Sequence, residues 1–227
     1  MSSRAAHCLR PEFTDSLATR LLAGESLILI SPHGQGRRRT LTDLHESLPA
    51  TCFIIQINMR TYITDYKEFI DQFIQESGDQ VSVITSLNSV LELLEKRHEQ
   101  VVIILHNFDE IRNNEAVRSG YSATFFKELN SIQHRTNISL LCVCEQRFDN
   151  YLLQSDGTEL PGSGLDSDTM RLPDLTAQQI EFELLHRRQL SLTDSEIPAL
   201  CEWLLKQAAP YSSLDKCNAD WIKEKVW

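Results

Sequence analysis

Val101-Val102-Ile103-Ile104-Leu105 is the most apolar run in the chain, and four of its five residues are β-branched. A half-exposed strand alternates apolar and polar side chains. An uninterrupted run has to be covered on both faces, as in the middle of a parallel sheet. Ser26–Ile30, Cys52–Ile57 and Ile138–Val143 have the same character, and Met170-Arg171-Leu172 reads as a short last strand. Parallel neighbours cannot be joined by a tight hairpin; they need a crossover of about a dozen residues or more, usually a helix. The expected architecture is therefore α/β: a five-stranded, mainly parallel sheet with helices on both faces and a short helical C-terminal segment.

The helices show in apolar spacing and in punctuation. Thr14 is expected to cap the first, with Phe13 as staple, Leu17, Leu21 and Leu22 as apolar stripe, and Gly24 as stop. A second carries Leu41, Leu44 and Leu48 and ends before Pro49. Further helices are predicted over 65–76, 81–97 and 121–133; Phe69, Ile70 and Phe73 line the first of these, and Leu87, Val90, Leu91 and Leu94 the second. In the tail, Thr176-Ala177-Gln178-Gln179 and Thr193-Asp194-Ser195-Glu196 are capping boxes that open helices over 177–188 and 195–207. Ala209-Pro210-Tyr211 interrupts them, and an amphipathic end carries Trp221 and Trp227. Between Ser155 and Asp168, glycine, proline and aspartate mark a surface loop. The division expected is 1–174 for the α/β part and 175–227 for the helical tail.

Ligands of parallel sheets bind beyond the carboxyl ends of the strands. The first strand runs into Ser31-Pro32-His33-Gly34-Gln35-Gly36-Arg37-Arg38 and then a helix. This is the strand–loop–helix layout of G-x-x-x-x-G-K-[ST], in which loop amides and a helix N-terminus cradle phosphates. Ser31 stands in place of the first glycine, Arg37 in place of the lysine and Arg38 in place of the hydroxyl residue. Gly34 and Gly36 permit a sharp turn and close approach to an anion. Taken alone, the loop reads equally well as a glycine-rich turn with three arginines on a solvated face. Two more strands end in polar segments: His106-Asn107-Phe108-Asp109-Glu110 and Cys144-Glu145-Gln146-Arg147. The three segments should meet at one rim.

Charge narrows the partners. A net charge of −10 argues against a broad nucleic-acid footprint, leaving only a local one at Arg37, Arg38 and Arg39. No apolar run approaches the ~20 residues that span a bilayer, and Met1 to Arg10 lacks the apolar stretch of a signal peptide. The six cysteines show neither C-x-x-C nor zinc spacing, and Cys142 and Cys144 fall in an apolar run as core residues. A reducing cytoplasm is the expected location. His33 lies in the loop, within reach of an anion. His7, His45, His98, His134 and His186 form no ligand spacing and are expected at the surface, as is the Arg187-Arg188 pair.

In motif order, over about residues 13–211, the chain resembles the P-loop ATPases of the AAA+/STAND type, including archaeal-type ATPases and NACHT-like switches. The resemblance assigns Pro32, His33, Gly34, Gln35, Gly36, Arg37 and Arg38 to nucleotide binding. It makes Asp109 and Glu110 the acidic catalytic pair and Arg147 the sensor, and it makes Ala208-Ala209-Pro210-Tyr211 a lid turn with its glycine replaced. Two overlays of the acidic motif stay open. One sets His106 where a magnesium-binding aspartate belongs, with Asp109 and Glu110 downstream; the other makes Asp109 the metal ligand and Glu110 the base. An acidic turn at a helix start is the structural alternative.

Arg37 keeps a positive charge, but a planar fork does not copy a compact ammonium. Arg38 removes a magnesium-holding hydroxyl, and His106 is a poor ligand for a hard, oxygen-seeking ion. ATP or ADP is thus the implied ligand, Mg²⁺ is disfavoured, and hydrolysis is expected to be weak or absent. The leading reading is a degenerate ATPase-like protein that regulates or assembles with another protein subunit, away from membranes. A divergent working ATPase using Arg37, Asp109 and Glu110 is the second. A DNA-handling initiator or transposition-type ATPase, with Arg37–Arg39 on phosphates, is the third.

Overall fold

The computed structural model describes residues 8–78, 86–112, 114–146, 164–187, 190 and 192–217. Strands β1 (Leu27–Ile30), β2 (Phe53–Asn58), β3 (Val101–His106), β4 (Ile138–Cys144) and β5 (Asp168–Arg171) form one sheet in the order β2-β3-β4-β1-β5. Every neighbouring pair is parallel. Asn58 lies opposite His106, His106 opposite Val143, and Ile30 opposite both Cys144 and Arg171. The carboxyl ends therefore share one edge, and the segments that follow β1, β3 and β4 all leave the sheet by it. β3 and β4 are buried almost throughout, as their uninterrupted apolar runs require. β5 lies at the margin and is polar and largely exposed, which suits an edge strand.

The chain divides into two compact units. Ala18–Ile30 and Leu48–Arg171 hold the sheet with α3 (Tyr66–Glu76), α4 (Leu87–Arg97), α5 (Asn114–Ser119) and α6 (Ala123–Asn130). Ile55, Ile57, Ile103, Leu105 and Leu140 pack there with apolar residues of α3, α4 and α6. Phe69 is central: its ring lies 5.8 Å from both Phe73 and Phe125 and 6.0 Å from Tyr121. The Tyr121 hydroxyl donates to the Tyr62 carbonyl at 2.9 Å, so the buried phenol is satisfied.

The other unit comprises Met1–Leu17, Ser31–Ser47 and Leu172–Trp227. It contains α2 (Arg37–Ser47), α7 (Ala177–Phe182), α8 (Glu196–Leu205) and α9 (Pro210–Lys216). Leu9, Ile180, Leu184, Leu200, Leu204 and Leu214 are the centre of its core. The first helix, α1 (Pro11–Leu22), belongs in part to each unit.

Several element boundaries differ from expectation for identifiable reasons. α1 starts at Pro11, where the missing proline N–H costs nothing; Thr14 lies inside it, donating its N–H to the Arg10 carbonyl at 2.8 Å. α4 starts at Leu87 because Ser86 is extended and accepts from the Ser89 N–H; residues 81–85 lie outside those described. The capping box at Thr176 and Gln179 forms as expected. At Thr193 only the glutamate half forms, Glu196 Oε2 accepting from the Thr193 N–H at 2.7 Å. The helix begun at Ala177 turns into a π-helical turn over Glu183–Arg187. Pro210 opens α9 instead of merely breaking the chain. His98 is half-buried, its ring stacked on Phe53 at 3.9 Å, so it is not a plain surface residue. Residues 155–163, His7, Arg188, Trp221 and Trp227 lie outside the described residues.

Truncating the central ring should cost stability directly. Phe69→Ala is expected to lower the unfolding free energy by about 3–5 kcal/mol, read as a reduced denaturant midpoint with little change in slope.

Candidate functional site

β1 ends at Ile30, the loop spans Ser31 to Gly36, and α2 opens at Arg37. Gly34 (φ 78°) and Gly36 (φ 88°) both hold the left-handed conformation that glycine adopts without strain. The Gly36 carbonyl accepts the Thr40 N–H at 3.0 Å, the first bond of α2. The amides of the first turn thus have no acceptor within the helix, and the positive end of its dipole faces the loop.

A residue far from the motif holds this loop. The Arg10 guanidinium donates from Nη2 to the Gln35 carbonyl at 2.9 Å and from Nε to the Pro173 carbonyl at 3.0 Å. Arg10 is almost fully buried, and burial lowers its pKa to about 10, so it is still a cation at neutral pH. Among the described residues, its Nη1, the fully buried Ser31 Oγ and Gln35 Oε1 have no hydrogen-bond partner. The first two are donors on and beside the loop that an anion would satisfy, whereas the Gln35 oxygen is an acceptor and would not be.

The turn before α9 sits on the same loop. The Tyr211 and Ser212 N–H groups donate to the Gly34 carbonyl at 2.9 and 3.2 Å. A Cβ added to Gly34 would overlap Ala209, and one added to Gly36 would lie 2.9 Å from Tyr211 Cγ. The Tyr211 ring is therefore packed directly on the Gly36 backbone.

The acidic segment belongs to the sheet unit. β3 ends at His106, Asn107 is left-handed (φ 55°), and Phe108 is fully buried at the start of a 3-10 turn over Phe108–Arg112. Asp109 Oδ2 accepts the Glu145 N–H at 2.9 Å, tying the exits of β3 and β4 together. Glu110 forms an ion pair with Arg60. Asn58 Oδ1 accepts from Asn107 Nδ2 at 2.6 Å and from the Arg60 N–H at 3.3 Å. His106 Nδ1 lies 3.3 Å from Asn107 Nδ2. A network of Asn58, Arg60, Asn107 and Glu110 thus lines the ends of β2 and β3, while Asp109 bonds to the exit of β4.

No family model matches the chain, and no curated protein matches it. Solved structures do. Cdc6p from Pyrobaculum aerophilum superposes with a TM-score of 0.55 at 17% identity, over 85% of this chain and 54% of that one. The Orc1 protein of Aeropyrum pernix, solved in complex with DNA, gives 0.58 at 18%, over 91% and 57%. The Walker-type ATPase of Pyrococcus abyssi gives 0.60 at 14%, over 96% and 70%. The fold is that of the P-loop ATPases. The chain spans little more than half the length of the first two of these proteins.

With the P-loop fold in place, the expected site residues can be located. Pro32 to Arg38 form the loop and the first turn of α2; His33 and Arg38 are exposed and Arg37 is half-buried. Asp109 and Glu110 lie on the 3-10 turn after β3. Arg147 is outside the described residues. One expectation is corrected. Arg39 is not on a solvated face: it is buried, with Nε 2.7 Å from Asp43 Oδ1 and Nη1 3.1 Å from Glu183 Oε1. Asp43 in turn accepts the Leu9 N–H at 2.9 Å. Arg39 is committed to this cluster and is withdrawn from any solvated basic patch.

Arg10, Arg60 and Tyr211 were not singled out as site residues. Arg10 carried a faint signal, since a cation at a helix N-terminus opposes the dipole and calls for another partner. Arg60, at the end of an apolar strand, carried none beyond its position.

Breaking the Arg39 cluster tests its weight. Arg39→Leu strands two buried carboxylates and should cost about 3–5 kcal/mol. Adding Asp43→Leu and Glu183→Leu should recover much of the loss, measured by equilibrium denaturation.

Proposed function

We propose that the chain is a P-loop ATPase-like protein whose altered phosphate loop binds ATP or ADP weakly and turns it over slowly or not at all. It serves as a regulatory or assembly partner of another protein subunit in a reducing, cytoplasmic setting. The observation that carries this reading is the state of the loop. Its anion-seeking features persist, namely the α2 N-terminus, the buried Arg10 cation and the unmatched Ser31 hydroxyl. The side chains that would manage a metal and transfer a phosphoryl group do not. The loop fits a phosphate; the donor set does not fit Mg²⁺. Arg38 offers a cation where a hydroxyl is needed, and the Thr40 hydroxyl, next along the helix, lies within 3.3 Å of the Gly36 carbonyl. His106 offers an imidazole where hard oxygen is needed. Glu110, the residue for a base, is paired with Arg60. The division at 174/175 is kept as part of the proposal, residues 175–227 serving as the lid.

The divergent-ATPase reading draws support from the position of Asp109 and Glu110 just after β3, an inner strand of the sheet. The initiator reading draws on the likeness to the Orc1 and Cdc6 structures, against the −10 charge. Salt-dependent DNA binding would separate it.

Melting with ATP or ADP, with and without Mg²⁺, is the direct test. A ligand at 100 times its dissociation constant adds about 2.7 kcal/mol, or roughly 5–10 °C for a chain of this size. The expected result is a smaller shift at millimolar nucleotide, unchanged by Mg²⁺. No shift at all would remove nucleotide from the proposal. Rapid hydrolysis abolished by Glu110→Gln would install the divergent-ATPase reading instead. Arg37→Lys, Arg38→Thr and His106→Asp together should restore Mg²⁺ dependence and slow hydrolysis, while each alone does little, because such groups act as a unit.

The lid contact makes a separate prediction. Gly36→Ala should destabilise through both its left-handed backbone and the collision with Tyr211. Tyr211→Ala in the same chain should relieve only the collision, leaving a coupling of about 0.5–3 kcal/mol in a double-mutant cycle.

A further inference from the structure

Successive carbonyls of the phosphate loop are held by donors from different parts of its unit. The Gly34 carbonyl accepts from the Tyr211 and Ser212 N–H groups at 2.9 and 3.2 Å. The Gln35 carbonyl accepts from Arg10 Nη2 at 2.9 Å, and the Gly36 carbonyl from the Thr40 N–H at 3.0 Å. A trans peptide is planar, with its N–H directed opposite to its C=O. Holding the carbonyl of one residue therefore sets the direction of the N–H of the next. The holds on Gly34, Gln35 and Gly36 thus orient the amides of Gln35, Gly36 and Arg37. The Gln35 N–H closes a turn on the Pro32 carbonyl at 3.3 Å. The other two sit at the start of α2, where a helix N-terminus attracts an anion.

These holds differ in how readily they are released. Thr40 belongs to α2 itself. Arg10 is a buried cation seated on two carbonyls. The hold on Gly34 comes from the first turn of α9, a helix of seven residues with no side-chain cap at Ala209. So short a helix owes its stability to packing rather than to its own hydrogen bonds. Pro210 and Leu214 anchor it in the core, while the half-buried Tyr211 ring meets the loop. Three atoms of that ring lie 2.9–3.4 Å from where a Gly36 Cβ would be, and Ala209 closes over Gly34 in the same way. The loop backbone is part of what α9 packs on, and α9 is part of what shapes the loop.

We infer that the Ala209–Ser212 turn is a regulatory clamp on the phosphate loop: docked, it holds Gly34 and with it the amides that receive the anion, and its release loosens the site. The inference rests on the reading of the loop as an anion site and adds how that site is controlled. The clamp acts on the loop backbone, so it needs no contact with the ligand. Linkage makes the effect reciprocal: an anion in the loop favours the docked turn by the same factor as the docked turn favours the anion. Displacing α9 would weaken binding, and an occupied loop would keep α9 down. A chain that turns nucleotide over slowly or not at all thereby has a way to switch.

Hydrogen exchange of the full chain tests both ends of the clamp, with ADP and inorganic diphosphate as probes. Either probe should slow exchange over residues 31–38 and also over 209–217, by about fivefold or more. Without any ligand, Tyr211→Ala should speed exchange over 31–38, and by calorimetry it should weaken both probes by about fivefold or more. Tyr211→Phe keeps a ring on Gly36 and should behave as the parent chain. Unchanged circular dichroism would show that both variants fold, and the comparison with and without probe in the parent chain needs neither. Slowing over 31–38 with no change over 209–217 would overturn the inference, as would equal or tighter binding by Tyr211→Ala. Unchanged ligand-free exchange over 31–38 in Tyr211→Ala would overturn the inference alone, whatever the loop binds. No slowing over 31–38 by either probe would overturn the anion reading and the inference together.

Discussion

Arg39 fastens the unit that carries the phosphate loop. Its guanidinium joins α2 to the π-helical turn through Glu183 and to the N-terminal segment through Asp43, which also holds the Leu9 N–H. Charges taken out of water cost several kcal/mol each and are tolerated only when paired and hydrogen-bonded. Here one cation faces two carboxylates, and the backbone N–H of Leu9 helps satisfy the second. Such a cluster contributes little net stability over an apolar core, but it makes wrong packings expensive. The π turn at Glu183–Arg187 fits this account: an extra residue in the helix re-aims a side chain, and Glu183 is left fully buried against Arg39.

The consequence reaches the loop through α2. Arg39 and Asp43 occupy the first two turns of that helix, so fixing them fixes its N-terminus and the start of the loop. Arg10 then holds the Gln35 carbonyl, and the amides at the start of α9 hold the Gly34 carbonyl. Carbonyls turned toward protein donors leave the amides of an adjoining helix N-terminus for another acceptor. In this sense the loop is preorganised for an anion before one arrives, which lowers the conformational cost of binding. On the function proposed above, what the loop lacks is the chemistry that follows binding.

The strands were legible because an apolar run with no polar alternate has one way to be buried. Their order was not: nothing in the spacing says that β4 lies between β3 and β1, since that depends on how each crossover packs. The start of α1 was misplaced because Thr14 offered a plausible cap while Pro11, at the first helical position, was the stronger signal. Arg37, Arg38 and Arg39 look alike in a row, yet a helix points them in three directions. The Asp43 partner at i+4, next to the apolar Leu44, held the clue that Arg39 turns inward. The acidic pair was found, but Arg60 was not, because a contact over fifty positions in sequence leaves no local trace. The part of the fold above the strand ends was thus readable as an order of motifs, and its hydrogen-bonded detail was not.

Gly34 and Gly36 match the motif where Arg37 and Arg38 depart from it, and on sequence alone they point to a phosphate site. Each, however, answers two demands that have nothing to do with phosphate. Both residues are left-handed, and both lie under the turn that opens α9, where a single methyl group would strike Ala209 or the Tyr211 ring. Packing alone would keep them glycine. The case for an anion therefore rests on groups that packing does not explain: a buried arginine nitrogen and a buried serine hydroxyl without partners among the described residues, beside a helix N-terminus. Arg10 and Ser31 are the residues whose replacement distinguishes a binding loop from a scaffold, because changing either glycine would disturb both at once.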